Sequence, residues 1–365
     1  MRQGTANLPL HGGHAPRWLF ERMVKLSAEI ASWIVVEQGS AELFRRLSDP
    51  VWFQAFGAVI GMDWHSSGVT TTVCGALKQG LLPRSRELGL VVAGGKGRTS
   101  RQTPAELTAA GAWLGLDPSP YVQASRMAAK VDNNALQDGY QIYHHVFLLD
   151  RSGHWAVVQQ GMHESNGYAR RYHWFSDDVH SFVDDPHTAI ATETIGEVWN
   201  LVAHESAAAR DVTAALAREQ PEKVVAEVAK LRELTLPAHH DVKGADVDRA
   251  RLHRILLKTY ERQPEDFGTL LGMEGVGART LRALSLVGEL VYGAPVSIKD
   301  PARFAFAHGG KDGHPYPVDK KTYDKSIQIL QTQSRRILSD AGDRPHYSAL
   351  REVVQGLLDL SSGPA

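Results

Sequence analysis

Cysteine is almost missing: Cys74 is the only one in 365 residues. No internal disulfide can form, which fits a reducing compartment. Long hydrophobic runs are missing too. No stretch approaches the roughly 20 apolar residues that a helix needs to cross a bilayer, and the start, MRQGTANLPLHGG, has no signal-peptide core. These absences predict a cytoplasmic protein with no membrane partner. An excess of either charge is also lacking, since 40 Lys and Arg stand against 41 Asp and Glu, a net charge of −1. That argues against a broadly basic nucleic-acid coat and leaves room only for local positive grooves. The chain shows no internal repeat, no long low-complexity tract and no Gly-Lys-Ser/Thr P-loop.

What is present is an ordinary globular composition, 43% hydrophobic and 22% charged. The length suits two or three domains with a sizeable core. Apolar residues at helical spacing, Trp18, Leu19, Met23, Leu26, Ile30 and Ile34, predict one helix or two over 15–48. A short apolar run follows over 51–62, then a loop at 63–68. Residues 69–76 suit either a capped helix or a threonine-bearing strand. Residues 88–92 read as a buried strand, and 104–116 and 118–130 as helices, each with a proline near its first turn. The clearest β signal is a hairpin, 140–149 and 155–160, joined by Asp150-Arg151-Ser152-Gly153-His154. Residues 196–235, rich in Ala, Glu, Val and Leu, read as consecutive helices broken near Pro221. A linker is expected at 237–244 and a further helix at 246–262.

The text PEDFGTLLGMEGVGARTLRALSLVGELVYG, residues 264–292, predicts a helix–hairpin–helix. Pro264 opens a short helix through Leu271, Gly275-Val276-Gly277 turns, and 278–291 forms the second helix. Two glycines permit a tight turn and close approach of a partner. The amides near Gly275, Gly277 and Arg279 then lie at a helix N-terminus, a ready phosphate site. Arg279, Thr280 and Arg282 extend it, and Val276 plugs the space between the helices. Such a unit holds phosphates rather than base edges, so binding weakens with salt. A plain helical packing hairpin is the alternative.

The same stretch resembles the helix–hairpin–helix DNA glycosylases similar to endonuclease III. The resemblance implies a catalytic aspartate after the hairpin, matched by Asp300 in Ile298-Lys299-Asp300 or by Asp319 in Pro317-Val318-Asp319. The lyase lysine of that pattern falls on Arg279, and arginine cannot form a Schiff base at neutral pH. The cysteine cluster of many such enzymes is absent.

Three further segments carry chemistry. Residues 5–16 hold His11 and His14 in a glycine-rich setting; a flexible terminus is the alternative. Gly94-Gly95-Lys96-Gly97-Arg98-Thr99-Ser100-Arg101 follows a strand and precedes a helix. Its amides and the cations Lys96, Arg98 and Arg101 suit a phosphate, or else a basic surface loop. The β-hairpin and its flanks hold Asp132, Asp138, His144, His145, Gln159, Gln160, His163, Arg170, Arg171 and His173. An acid before a hairpin is the layout of metal-dependent nucleases, although Gln159-Gln160-Gly161 stands where acid-x-lysine is usual. Strand alternation sends Gln159 and Gln160, and likewise His144 and His145, to opposite faces. A polar stacking platform with Tyr140, Trp155 and Trp174 is the alternative.

The strings GTANLPLHGGHAPRWL, QDGYQIYHH, WAVVQQGM, ARRYHWFS and FAHGGKDGHPYPVDKKTYD resemble those of the prokaryotic domain-of-unknown-function family 763. That resemblance implies no particular activity. It implies that the hairpin helices and the amino-terminal region belong to one recurring protein and act on one substrate. The segment 308–319 reads as a structured loop or a phosphate loop.

The sequence therefore predicts an α+β protein, with a mixed α/β domain over 1–195 and a helical domain over 196–365. The first functional expectation is a DNA-processing nuclease using Mg²⁺ or Mn²⁺ at Asp132 and Asp138. Its chemistry would fall to Asp138, His145, Gln160 and His163, and Arg170 and Arg171 would join the hairpin in holding the nucleic acid. The second is a base-repair glycosylase using Asp300 or Asp319. The third is a non-catalytic DNA- or RNA-binding protein. A homodimer stays open.

Overall fold

Helical spacing before residue 88 becomes five helices among the described residues: α1 (Arg17–Gln38), α2 (Ser40–Leu47), α3 (Pro50–Val59), α4 (Gly68–Leu81) and α5 (Ser85–Leu88). The computed structural model describes residues 15, 17–62, 68–163, 168–192, 195–230, 249–302, 304 and 305. Asp49 starts α3 by accepting from the amides of Val51 (2.8 Å) and Trp52 (3.2 Å), with Pro50 in the first turn. The 69–76 segment is helical. On α4, Gly80 lies against α1 so closely that a Cβ there would sit 2.5 Å from the Val24 carbonyl oxygen. Residues to Leu88 belong to one compact unit, and Gly89–Ala305 form a second.

The second unit is an α+β fold. It contains β1 (Leu90–Lys96), α6 (Thr103–Leu114), α7 (Ser119–Lys130), a π-turn over Val131–Ala135, β2 (Leu136–Gln137), β3 (Tyr140–Asp150), β4 (Trp155–His163), β5 (Ala169–Phe175), β6 (Ala189–Thr192) and β7 (Glu197–Asn200). Then follow α8 (Ala207–Leu216), α9 (Pro221–Lys230), α10 (Arg249–Arg262), α11 (Phe267–Gly272), α12 (Ala278–Tyr292), β8 (Ser297–Lys299) and β9 (Phe304–Ala305). Six strands form one sheet in the order β1-β3-β4-β5-β6-β9, and three form another in the order β2-β7-β8. All pairings are antiparallel except β6 with β9.

The large sheet has two faces fixed by register. On the first face, Ala93, Phe147, Val157 and Trp174 form one row and Gly95, His145, Gln159 and Tyr172 another. This face belongs to the apolar core, shared with Leu107 of α6, Ala128 of α7, Leu270 and Leu271 of α11, and Leu281, Leu284 and Val287 of α12. The second face carries Gly94, Val146, Val158 and His173, then Lys96, His144, Gln160 and Arg171.

Two features differ from the sequence expectation. Residue 195 falls inside the second unit, not at a boundary: β2 pairs with β7, and β6 with β9, across that point. The region after 195 is accordingly not all helix. Glu197–Asn200 is a strand, and the helices begin only at Ala207. The 237–244 linker lies outside the described residues.

Candidate functional site

The hairpin of α11 and α12 is built by local capping. Asp266 accepts from the Thr269 amide at 2.7 Å and starts α11; that bond holds its carboxyl below the usual carboxylate range. Lys130, at the end of α7, donates to the carbonyls of Leu271 and Met273, both at 2.6 Å, closing the C-terminal end of α11. Gly275 turns the chain at φ +89°, a region that favours glycine, and is exposed. Val276 is buried between the helices. Gly277 is extended and precedes α12, whose first turn has no side-chain cap. The first turn of this 15-residue helix thus lacks a side-chain cap and follows a turn in which Gly275 and Gly277 carry no side chain.

The cations around this turn differ in availability. Arg279 is exposed. Arg282 instead packs its guanidinium 4.0 Å from the Trp199 ring centroid, and Thr280 is buried. The hairpin is seated on the segment before β3. Gln137 donates to the carbonyls of Ala278 (2.9 Å) and Asn134 (3.0 Å), and a Cβ on Gly277 would lie 3.9 Å from Asn134 Oδ1.

One residue beyond Gln137, Asp138 enters a buried ion-pair cluster. Arg170 donates to Asp138 Oδ2 at 3.0 Å and to both oxygens of Asp300 at 3.2 and 2.7 Å. Tyr172 donates its hydroxyl to Asp138 at 2.7 Å, and the guanidinium of Arg170 lies 4.7 Å from the Tyr140 ring centroid. All three charged side chains are at most 2% exposed. Burial pushes the Asp138 carboxyl up to about 6, against the opposing pull of Arg170, Tyr172 and the Tyr140 amide. Burial also works against the charge of Arg170, but Asp138 and Asp300 outweigh it and raise its pKa. As folded, Arg170 faces these carboxylates and does not reach an external phosphate.

Asp132 is the hub of a second buried network. It accepts from Gln159 Nε2 (2.5 Å), Trp174 Nε1 (3.0 Å) and His187 Nε2 (2.5 Å). Gln159 Oε1 accepts from His145 Nδ1 at 2.8 Å, which leaves His145 Nε2 to accept from the Ser125 hydroxyl at 2.8 Å. Burial is the main cause that pushes the His145 pKa down. His145 is therefore a neutral core histidine on the first face, and Gln160 points to the second. Asp138, His145 and Gln160 do not converge. His163 ends β4 with its ring edge-on to Tyr140 at 5.3 Å.

On the second face, Gln160 donates to the Tyr143 hydroxyl and Arg171 Nε donates to His173 Nε2 at 2.8 Å. Lys96, Arg98 and Arg101 are exposed on β1 and the 3₁₀ turn after it. The Gly94 amide is taken by Glu106 at 2.7 Å, so that loop does not cradle an anion with this group. Residues 5–14, the 63–67 loop and 308–319, including Asp319, lie outside the described residues.

The divalent-ion expectation placed an ion at Asp132 and Asp138. Every hydrogen-bond partner given above for Asp132 and Asp138 is an N–H or O–H donor, and a guanidinium sits at Asp138. Among the described residues no three His, Cys, Asp or Glu side chains are grouped to hold a metal.

Sequence reasoning missed Ser125, Tyr172 and His187. Ser125 and Tyr172 sit in a helix and a strand without distinguishing spacing, and His187 lies in the irregular stretch before β6.

The model of a family described as protein of unknown function (DUF763) matches residues 4–318. The chain belongs to that family. The match spans both buried networks and the hairpin, so in this DUF763 protein they are parts of one family module. No curated protein and no solved structure matches the chain. Among the described residues, no helix is long and apolar enough to cross a membrane.

Proposed function

We propose that this DUF763 protein binds the sugar–phosphate backbone of nucleic acid, DNA foremost, through the 275–279 turn and without reading sequence. The observation that carries this is the start of α12. Its amides have no side-chain cap, two glycines keep side chains away, and Arg279 is exposed beside them. Backbone amides and one arginine recognise phosphate oxygens, not base edges. The near-neutral net charge fits a local grip of few phosphates rather than a wide basic surface.

Fluorescently labelled duplexes of unrelated sequence should bind with equal affinity, and a Gly277→Glu variant should bind more than about tenfold more weakly. Equal binding by that variant overturns the proposal. Single-stranded DNA and RNA arms identify the preferred strand type. Running the same mixtures with Mg²⁺, Mn²⁺ or EDTA reports whether metal-dependent cleavage accompanies binding.

A second reading, hydrolytic base removal, is favoured by one observation. Asp300, at the position where the glycosylase pattern puts its aspartate, shares the Arg170 guanidinium with Asp138, beside the residue that holds Ala278. It requires the Arg170 clamp to open. Alkali-revealed breaks in damaged DNA that persist in EDTA and vanish in Asp300→Asn support it; their absence from wild type removes it.

A further inference from the structure

We infer that the outer face of α10 is a second nucleic-acid contact, in which Arg254, Lys258 and Arg262 take phosphates of the same nucleic acid that the 275–279 turn holds. The inference rests on the backbone grip proposed for that turn and lengthens its footprint.

Helical spacing sets the stripe. The α10 text RARLHRILLKTYER carries Arg249, Arg251, Arg254, Lys258 and Arg262 against a single acid, Glu261. That is a sharp local excess in a chain of net charge −1. Positions 254, 258 and 262, four residues apart, fall on one side of the helix. Leu252, Ile255 and Leu256 fall on the other and join the apolar core. Arg254, Lys258 and Arg262 are all exposed, and among the described residues no ion pair joins any of them to an acid. The acids of α9, which packs on α10, are held elsewhere: Glu222 pairs with His253 at 3.0 Å and Glu227 with Lys230 at 2.7 Å. A positive stripe about 12 Å long is left open to solvent.

A braced corner ties the stripe to the hairpin. Gln263 follows α10 in the left-handed region, at φ +47°. Its side chain donates to the carbonyls of Tyr260 (2.5 Å) and Arg218 (3.3 Å). Arg218 in turn donates to the carbonyls of Pro264 (3.2 Å) and Glu265 (2.9 Å). The step from Arg262 into α11 is therefore fixed from both sides, and stripe and hairpin belong to one compact unit. Charge complementarity selects the occupant. About 12 Å of duplex axis carries roughly three to four phosphates of one strand, enough for three cations. Lys and Arg on a helix face take phosphate oxygens without reading bases, as the turn does. A lipid surface fits less well. A helix lying in a bilayer interface sinks its apolar face there. In α10 that face is already in the core, and Leu257 and Tyr260 are its only exposed large apolar side chains among the described residues.

The test compares the full-length protein with a triple variant, Arg254→Gln/Lys258→Gln/Arg262→Gln, on DNA stem-loops that share one loop and have stems of about 4 to about 24 base pairs. Affinity is measured at several salt concentrations. The shortest stem, about 14 Å long, occupies the turn alone, and there both proteins should show the turn's own salt slope of about −2 for two phosphates. On the longest stem the triple variant should bind more than about tenfold more weakly, with a slope shallower by about 2 to 3. Its thermal midpoint should match wild type, because all three side chains are exposed. Wild-type affinity and slope on the longest stem would overturn the inference. Equal weakening on every stem would also overturn it, because the charges would then act at a distance and not by contact. Gly277→Glu, run alongside, separates the two claims. If it loses binding while the triple variant does not, the turn stands and the stripe falls; if it too binds normally, both fall. Vesicles of phosphatidylserine and phosphatidylcholine form the last arm. Vesicle binding lost in the triple variant, with DNA binding unchanged, would assign the stripe to a lipid surface and overturn the inference.

Discussion

Asp138 and Asp132 are both buried carboxylates on the helix-packed side of the sheet, yet their partners set different behaviour. Asp138 has a folded pKa near 6, above its usual 3.8. It therefore favours the folded state most below about pH 4, and that contribution is lost as pH rises through about 6. Asp138→Asn removes this titration. The urea stability of wild type minus that of the variant should fall between about pH 3.5 and 6.5 and then level off. A pH-independent difference contradicts the assignment. Asp132 satisfies three donors from Gln159, Trp174 and His187. Asp132→Ala strands all three and should cost about 3–5 kcal/mol in urea unfolding, whereas Asp132→Asn, which keeps one acceptor oxygen, should cost markedly less. Equal losses would show that the donors find other partners. Much of this chemistry was legible one residue at a time. Asp132, Asp138, Arg170 and Asp300 all stand out as polar groups near strands or after the hairpin. Their grouping does not, because Arg170 meets Asp138 across 32 residues and Asp300 across 130. Alternation correctly separates His145 from Gln160. It cannot reveal that Ser125 and Gln159 fix the His145 ring.

Elements with a strong local code are read well from sequence. The α11–α12 hairpin has a capping aspartate, a glycine turn and an apolar stripe, and it forms within three residues of the expected bounds. The β3–β4 hairpin likewise has alternation and a glycine connector. Strands β7 and β8 escape because each has only three or four residues, too few for a period-2 signal, and β7 adjoins an alanine-rich helical stretch. Long-range pairing, not local preference, makes them strands. The clamp of α7 on α11 is also a tertiary feature. Lys130→Met removes two charge-assisted bonds to the end of α11 and should cost about 1–2 kcal/mol. Hydrogen exchange at 270–277 should quicken more than exchange in β3. Uniform quickening would mean that Lys130 supports the whole fold and not the hairpin in particular.

The whole molecule divides where composition alone gives no cue. The described helices of the first unit end at Leu88, and the β-containing unit begins at Gly89. A change of texture near 195 marks only a change of element type inside that second unit. Its hairpin and its buried carboxylates are joined through residues 134–138, so the turn proposed to bind phosphate rests on the same segment that enters the Asp138 cluster. Gly277→Ala tests the central claim most directly. Gly277 is extended and a Cβ there meets nothing closer than 3.9 Å, so the variant should keep wild-type stability within about 0.5 kcal/mol. The account predicts that its affinity for duplex DNA nonetheless falls several-fold, and that the wild-type slope of log affinity against log salt, about −2 for two phosphates, becomes shallower. Unchanged affinity and slope in the folded variant would contradict it.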